Sequence, residues 1–255
     1  TPQPPSPVTP PAPVVTPTAG SYDIGTPTLK DIWVDYAHGN NTNDGNSRAT
    51  AVKTISEAWR RVPAGALTRT GYRLQIVSGT YPRDSAPVYW EAKQGTHAFP
   101  IILNAADGYG TVTMQADINA FQLSHFYVVG LNIVPVPAGD AFHCEQCTYT
   151  LLSHVKLDGG RRQAHDLLKV NQSQYFFVED SDISGADDNS IDFVAVQYGH
   201  VLRTKISNSQ DWCMYVKGGS AYIRVEGNEI YNCGTGGFVA GQGTGFEWMT
   251  SPWIH

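Results

Sequence analysis

The sequence predicts an all-β protein, a right-handed parallel β-helix solenoid with a short N-terminal capping helix. Two series of apolar residues recur along the second half of the chain, each at a spacing of about 20–29 residues, which is the length of one solenoid coil. The first series is Phe121, Phe142, Leu168, Phe193, Met214 and Phe238, and the second is Ile133, Leu157, Ile183, Ile206 and Ile230. Because one coil cannot bury its own apolar residues, such coils stack and share a core.

Two short strands per coil, joined by polar Asn, Asp and Gly turns, account for the two series. Side chains of a strand alternate between two faces, so every second residue points into the core. The predicted inward set is Leu168, Val170, Phe193, Ala195, Met214 and Val216, and the outward set is Lys169, Asn171, Asp192, Val194, Tyr215 and Lys217. A leucine-rich repeat would instead show several leucines and a helical segment in each unit.

The segment before the repeats predicts the first coil and its cap. A strand pattern at 31–35 leads to a polar turn at 39–46, an amphipathic helix at 54–61 and a second strand pattern at 72–81. A helix in this place covers the sheet edges that a solenoid otherwise exposes at its end.

Composition and charge limit the classes of function. The chain has 255 residues, a formal net charge of −6 and only 16% charged residues. It shows no basic stripe, which argues against a nucleic-acid partner. It also has no apolar run of about 18 residues, which argues against a membrane span.

The two ends of the chain differ from its middle. Residues 1–27 are predicted to be a Pro/Thr-rich stalk or linker, because such a segment extends and cannot bury a core. Stalks of this kind space a domain away from a cell wall, which predicts a secreted or cell-surface protein. Residues 28–255 are predicted to be the β-helix domain, incomplete at its C-terminus because 246–255 show no capping sequence. Alternatively, another subunit stacks on that end.

The cysteines argue against a zinc site. Cys144 and Cys147 have CxxC spacing, but no second pair and no histidine at zinc-finger distance follows them. With Cys213 and Cys233 they leave buried thiols, one disulfide or two disulfides as open alternatives.

Three short segments carry a resemblance to a known family. The segments 33–45, 51–55 and 77–81 are similar to the strand, turn, helix and strand that open many secreted right-handed β-helix proteins. Among enzymes of this fold, the chain resembles pectate lyases of the polysaccharide lyase family 9 type. That resemblance implies a calcium cluster and a lysine base that removes a proton from the substrate.

The resemblance assigns candidate residues to these two roles. The segment 188–192 is similar to the calcium-binding motif, which implies that Asp166, Asp187, Asp188 and Asp192 hold Ca²⁺. Carboxylates on adjacent coils can converge on such an ion. Asn189 departs from the motif, since the family has an acidic ligand there. Tyr215 stands at the position expected for the base and Lys217 lies two residues further along, so both are catalytic candidates.

A second group of candidates binds substrate. Arg161, Arg162, His165 and Lys169 form a cationic cluster whose arginines can clamp sugar carboxylates bidentately, and His165 can transfer protons. Each group also has a purely structural alternative. The cationic cluster could be a solvated turn, and Lys217 could be an ordinary surface lysine. The aspartates could form a structural turn, since Asp is a common turn residue.

Two functional hypotheses follow. The first is an extracellular polysaccharide-active β-helix protein, a calcium-assisted lyase that cleaves acidic polysaccharide by β-elimination. The second is a non-catalytic cell-surface solenoid that binds carbohydrate, adheres or forms filaments, assembling through its C-terminal end and its N-terminal arm.

Overall fold

The computed structural model describes residues 20–160, 165–241, 243 and 244. These residues form a right-handed parallel β-solenoid of about seven turns, which confirms the predicted fold class. The predictions for 1–19, for Arg161 and Arg162, and for 245–255 fall outside the described residues.

The described residues contain 23 strands, one α-helix (α1, Ile55–Arg61) and two short 3₁₀ helices (Arg48–Thr50 and Arg83–Ser85). In chain order the strands are β1 (Leu29–Val34), β2 (Gly65–Ala66), β3 (Gly71–Ile76), β4 (Gly79–Tyr81), β5 (Lys93–Gln94), β6 (Ile101–Ala105), β7 (Val112–Met114), β8 (Ile118–Phe121), β9 (Ser124–Val129), β10 (Leu131–Ile133), β11 (Phe142–Glu145), β12 (Thr148–Ser153), β13 (Lys156–Asp158), β14 (Leu168–Asn171), β15 (Gln174–Glu179), β16 (Asp182–Ser184), β17 (Ile191–Val194), β18 (His200–Leu202), β19 (Lys205–Ser207), β20 (Trp212–Lys217), β21 (Arg224–Glu226), β22 (Glu229–Tyr231) and β23 (Gly236–Ala240).

The strands form three parallel sheets. Sheet A has the order β1-β3-β6-β9-β12-β15-β18-β21; in addition, β5 pairs with β9, and β2 pairs with β5. Sheet B has the order β22-β19-β16-β13-β10-β7-β4, and sheet C has the order β23-β20-β17-β14-β11-β8. A coil such as β14, β15 and β16 therefore gives one strand to each sheet. The prediction of two strands per coil was wrong. Sheets A and B are joined by bends so short that they look like one strand, such as Gly130 with φ of 76° between β9 and β10.

The strand register confirms one apolar series and corrects the other. Ile133, Leu157, Ile183, Ile206 and Ile230 pair in one column of sheet B. In sheet C, however, Ile191 rather than Phe193 pairs with both Leu168 and Met214, and Ile118 rather than Phe121 pairs with Phe142. Alternate residues of these strands are apolar and inward, so a slip of two residues, as between Ile191 and Phe193, leaves the sequence pattern unchanged. Phe121 is a different error, because it lies three residues from Ile118 and therefore on the outer face, where it is 38% exposed.

The predicted faces of sheet C are those of the structure. Of the inward set, five residues are fully buried and Val216 packs partly buried against the core. The outward set lies on the outer face of sheet C, and its members include Lys169, Asp192 and Lys217.

Helix α1 closes the first coil, as predicted. The Thr54 hydroxyl caps it by accepting a hydrogen bond from the Glu57 amide at 3.1 Å. Its apolar face buries Ile55, Ala58 and Trp59. The Trp59 ring lies 4.8 Å from that of Trp90, so the helix joins the aromatic core of the coils above it.

Residues 20–27, which the predicted boundary assigned to the stalk, lie on the outer face of sheet A and are called the N-terminal strap. Tyr22 stacks on Phe177 with 4.5 Å between ring centroids, and its hydroxyl is 2.9 Å from that of Tyr127. The Tyr22 amide donates to the buried carboxylate of Glu179 at 2.6 Å.

Two disulfides settle the alternatives for the cysteines. Cys144 is bonded to Cys147 and Cys213 to Cys233, and no cysteine is free. None of the helices among the described residues has the length and apolar character needed to cross a membrane.

Candidate functional site

The outer face of sheet C carries four of the ten predicted site residues in two adjacent columns. Lys169 pairs with Asp192, which pairs with Tyr215 on the next strand. In the neighbouring column Val194 pairs with Lys217. Since strands are about 4.8 Å apart, residues in one column lie within reach of each other's side chains.

A cleft of about 390 Å³ opens on this face. Sheet C supplies its floor, and the turns that precede β11 and β14 supply one wall. The lining from sheet C includes His143, Lys169, Asn171, Val194 and Lys217, and the wall includes Asp140 and His165.

Two lysines converge on one buried carboxylate in this cleft. Lys169 Nζ donates to Asp166 Oδ2 at 3.0 Å and also to Asp192 Oδ2. Lys217 Nζ lies 3.3 Å from the same Asp192 oxygen, and Asp192 is only 1% exposed. Burial alone lowers the pKa of Lys169, but the charges of Asp166 and Asp192 outweigh it and raise that pKa. Lys169 therefore keeps its proton at neutral pH.

Asp166 is stabilised as an anion by its neighbours. Burial raises its pKa, but hydrogen bonding to His165, the charge of Lys169 and hydrogen bonds from Asn189 together lower the pKa to about 2. Asn189 donates to Asp166 Oδ1 from its side-chain amide at 2.8 Å and from its backbone at 3.2 Å. The asparagine that departs from the calcium motif thus positions the aspartate of the previous coil.

His165 lies among three carboxylates. Its Nδ1 is 3.4 Å from both Asp140 Oδ1 and Asp166 Oδ2, and its Nε2 is 3.6 Å from Asp188 Oδ2. The hydrogen bond with Asp166 and the surrounding negative charge raise the pKa of His165 to about 9, against a smaller effect of burial. The imidazole is therefore protonated at neutral pH. Burial and the charge of Asp166 raise the pKa of Asp140 and of Asp188.

These residues form one connected network, called here the charged cluster. Its members are Asp140, His165, Asp166, Lys169, Asp188, Asp192 and Lys217. Tyr215 adjoins it, because the Lys217 ammonium lies 4.4 Å from the centre of the Tyr215 ring. Asp187 is not part of it, since its carboxylate accepts from the side chain of Gln210 on the next coil.

Asp140 and His143 belong to the cleft but were not predicted. Asp140 Oδ1 accepts from the Asp166 amide at 3.0 Å, and the two residues are 26 positions apart. That separation is one coil, so the repeat length was a signal that could have found Asp140. His143 pairs with Lys169 in the outward column of sheet C.

The carboxylates assigned to calcium do not converge on one point. Lys169 bridges two of them, Asp166 and Asp192. The ligand atoms of Asp140, His165 and Asp166 lie within 4.8 Å of one another. However, calcium takes oxygen ligands, and one of these three residues offers an imidazole nitrogen. In this arrangement the residues fit an ammonium–carboxylate network better than a calcium site.

The fold and this cleft define a parallel β-helix protein with a charged site on the outer face of one sheet. A solved structure of rhamnogalacturonan lyase aligns at 12% identity and a TM-score of 0.51, covering 85% of this chain and 63% of that one. A pectin methylesterase bound to a hexasaccharide aligns at 14% identity and a TM-score of 0.43, covering 76% and 65%. A GH136 lacto-N-biosidase from Eubacterium ramulus aligns at 9% identity and a TM-score of 0.30, covering 79% and 55%.

The chain spans 63% of the length of the rhamnogalacturonan lyase, and at 12% identity that likeness is one of fold. No protein-family model matches the sequence, and no curated protein matches it.

Proposed function

We propose that this chain is an extracellular polysaccharide-active protein that binds acidic polysaccharide in the cleft of sheet C and cleaves it by β-elimination at the charged cluster. The observation that carries the proposal is the convergence of Lys169 and Lys217 on Asp192 inside the cleft. Cations fixed by carboxylates in a concave site suit the capture of a sugar carboxylate.

β-Elimination on a uronate assigns distinct roles to these residues. A base takes the proton next to the sugar carboxylate, a double bond forms, and the glycosidic oxygen leaves with a proton. Lys169 and His165 keep their protons and so stabilise the negative charge that develops on the sugar carboxylate. Lys217, in its neutral amine form, is the candidate base, and Tyr215 positions its Nζ atom.

Further observations support the class of substrate and the compartment. Asn171 lines the cleft, where its side-chain amide lies 3.3 Å from His143 Nε2, so the cleft holds neutral polar groups of the kind that bind sugars as well as charged ones. One solved structure of similar fold carries the name rhamnogalacturonan lyase. Two disulfides are typical of proteins from oxidising compartments, which supports secretion.

A cleavage assay with matched lysine variants tests the proposal. The protein is incubated with a panel of acidic polysaccharides, and unsaturated ends are followed by ultraviolet absorbance. Lys217→Met is expected to reduce the rate by about 100-fold or more, as loss of a general base does. Lys205→Met is the control, because Lys205 is an exposed lysine of sheet B, 3.8 Å from Glu229. Equal rates for the two variants would contradict the role of Lys217.

Calcium dependence stays a prediction, and the same cleavage assay tests it with and without a chelator. If Asp166, Asp187, Asp188 and Asp192 rearrange around Ca²⁺, a chelator abolishes cleavage and calcium restores it. If the lysine bridge between Asp166 and Asp192 persists during turnover, the chelator leaves the rate unchanged.

A second candidate is a non-catalytic carbohydrate-binding surface protein. The bridge of Lys169 between Asp166 and Asp192 favours it, since it fixes a cation that can bind a sugar carboxylate without any chemical step. This candidate predicts binding of acidic polysaccharide, measured by calorimetry, with no unsaturated product. Self-assembly through the N-terminal arm and the C-terminal end stays a prediction, which sedimentation of the full chain tests.

A further inference from the structure

A second concavity of about 300 Å³ continues the cleft along the outer face of sheet C toward the first coil. His143 lines both concavities, so they form one groove. The backbone around Trp90 extends sheet C by one position, because Trp90 pairs with Ala120 in a parallel bridge. This register places Tyr89 and Glu91 beside the outward residues Asn119 and Phe121.

The two ends of the groove differ in chemistry. The distal end is lined by Tyr89, Phe121, Glu91 and Glu145. Tyr89 is 67% exposed and Phe121 38% exposed, so aromatic surface is open to a ligand. The other end contains the lysines of the charged cluster. In register, Tyr89 and Lys169 are three strands apart, or about 14 Å at the usual strand spacing.

Charge complementarity indicates what each end accepts. At the end with the charged cluster, the N–H groups of His165, Lys169 and Lys217 line the cleft and suit a uronate carboxylate. At the distal end the same sugar would face Glu91 and Glu145, and like charges in a binding site disfavour the complex. An uncharged sugar avoids that cost, because its C–H face packs on an aromatic ring and its hydroxyls donate to the carboxylates.

His143, which lies between the two ends of the groove, adds no charge to either of them. Burial lowers the pKa of His143, with smaller effects from Glu145 and Lys169, so its imidazole is neutral at neutral pH. Its Nε2 lies 3.3 Å from the Asn171 amide nitrogen, which keeps the ring between the two concavities.

We propose that the polysaccharide is a heteropolymer, and that an uncharged sugar occupies the Tyr89–Phe121 end when a uronate occupies the charged cluster. This inference rests on the proposed function and extends it from acidic polysaccharide in general to chains that mix uronate and neutral units. It assigns Tyr89, Glu91, Phe121 and Glu145 as determinants of specificity.

Two hexasaccharides test the inference, one of galacturonate alone and one in which galacturonate alternates with neutral rhamnose. The measured quantity is the Kd, or the KM where turnover occurs. The alternating hexasaccharide is expected to bind about tenfold more tightly, since it spares the like-charge contacts. The Glu91→Gln, Glu145→Gln double variant is expected to bring the two affinities to within about threefold.

Aromatic variants supply an independent readout. Phe121→Ala and Tyr89→Ala are expected to weaken the alternating hexasaccharide about tenfold and about fivefold. Tyr222→Ala is the matched control, because Tyr222 is 73% exposed and stacks on Tyr198, away from this groove. Circular dichroism of each variant confirms that it is folded.

The failures of the two proposals are distinguishable. Equal affinity for the two hexasaccharides, with cleavage of both still lost on Lys217→Met, overturns the heteropolymer inference and leaves the proposed function standing. Cleavage that is insensitive to Lys217→Met, or no binding of either hexasaccharide, overturns the proposed function and the inference with it.

Discussion

At the scale of single residues, the buried carboxylate of Asp192 holds both lysines of the cleft. Lys169 and Lys217 meet at its Oδ2 atom, and Asp192 Oδ1 has no hydrogen-bond partner among the described residues. Removing the charge would leave two ammonium groups next to each other in a poorly solvated site. The residue therefore contributes to stability as well as to the geometry of the cleft.

Asp192→Asn is expected to lower the free energy of unfolding by about 3 kcal/mol, the usual cost of breaking a buried ion pair. Asp31→Asn is the matched control. It breaks the cross-strand ion pair with Arg73, whose side chains are 29% and 31% exposed, and such pairs contribute less than about 1 kcal/mol. Urea unfolding of both variants measures the difference. Equal losses would show that Asp192 is not held as the structure describes.

The side chains of the cluster were partly predictable from sequence. Lys169 and Lys217 were identified because outward positions of adjacent strands fall in columns, and Asp192 because segment 188–192 is similar to the calcium-binding motif. Their pairing was not, since a pattern of alternation does not say which charges meet across coils. The sequence suggested that Lys169 binds substrate, whereas the structure shows that it also bridges Asp166 and Asp192. That contact depends on rotamers, which no spacing rule reports.

At the scale of structural elements, a ladder of stacked aromatic rings crosses sheet A at the N-terminal ends of its strands. Its members are His125, Tyr149, Tyr175, Tyr198 and Tyr222, with centroid separations of 4.5, 4.4, 5.3 and 4.8 Å. All five residues have positive φ, from 48° to 59°. Bulky residues adopt that conformation at a cost, which stacking with the neighbouring coil offsets.

The histidine at the start of this ladder makes stability depend on pH. Burial, with a smaller effect from the charge of His97, lowers the pKa of His125 to about 4. The unfolded chain has the ordinary value of 6.5 and so binds a proton first as the pH falls. The contribution of a neutral His125 is therefore present above pH 6.5 and is lost as the pH falls toward 4.

His125→Tyr is expected to flatten the fall in stability between pH 6.5 and 4, because tyrosine does not titrate there and the other ladder positions accept it. Thermal unfolding at several pH values measures this slope. His38→Gln is the control, since it removes an imidazole whose side chain is 85% exposed and lies outside the ladder. A variant that keeps the wild-type slope would contradict the assignment.

The elements themselves show where sequence patterns lose information. The sheet B column was predicted residue by residue, because three of its five apolar residues stand alone between polar neighbours, as in Lys156-Leu157-Asp158. In sheet C both Ile191 and Phe193 are apolar and buried, so either satisfies the pattern. The turns that join sheet B to sheet C vary in length and remove any fixed spacing that could choose between them.

At the scale of the whole molecule, the N-terminal strap connects coils that do not touch one another. In a solenoid each coil contacts only its neighbours, so distant coils are coupled weakly. The strap contacts Tyr127 on β9, Phe177 on β15, and Arg203 after β18, where Ser21 Oγ accepts at 2.7 Å. Its contacts therefore run along sheet A over several coils. Sequence could not show this, because Tyr22 lies 157 residues from Glu179, whose carboxylate accepts its amide.

Tyr22→Ala is expected to lower the free energy of unfolding by about 2 kcal/mol, since it removes a half-buried ring and its stack on Phe177. Hydrogen exchange should also become faster in β9 and β15 together, because one side chain supports both strands. Tyr222→Ala is the comparison, as Tyr222 stacks only on Tyr198 of the adjacent coil among the ring pairs of the described residues. Its effect should stay within those two coils. If each variant speeds hydrogen exchange only in the coils next to the substituted residue, the strap does not couple distant coils, and each coil is stabilised only by its neighbours.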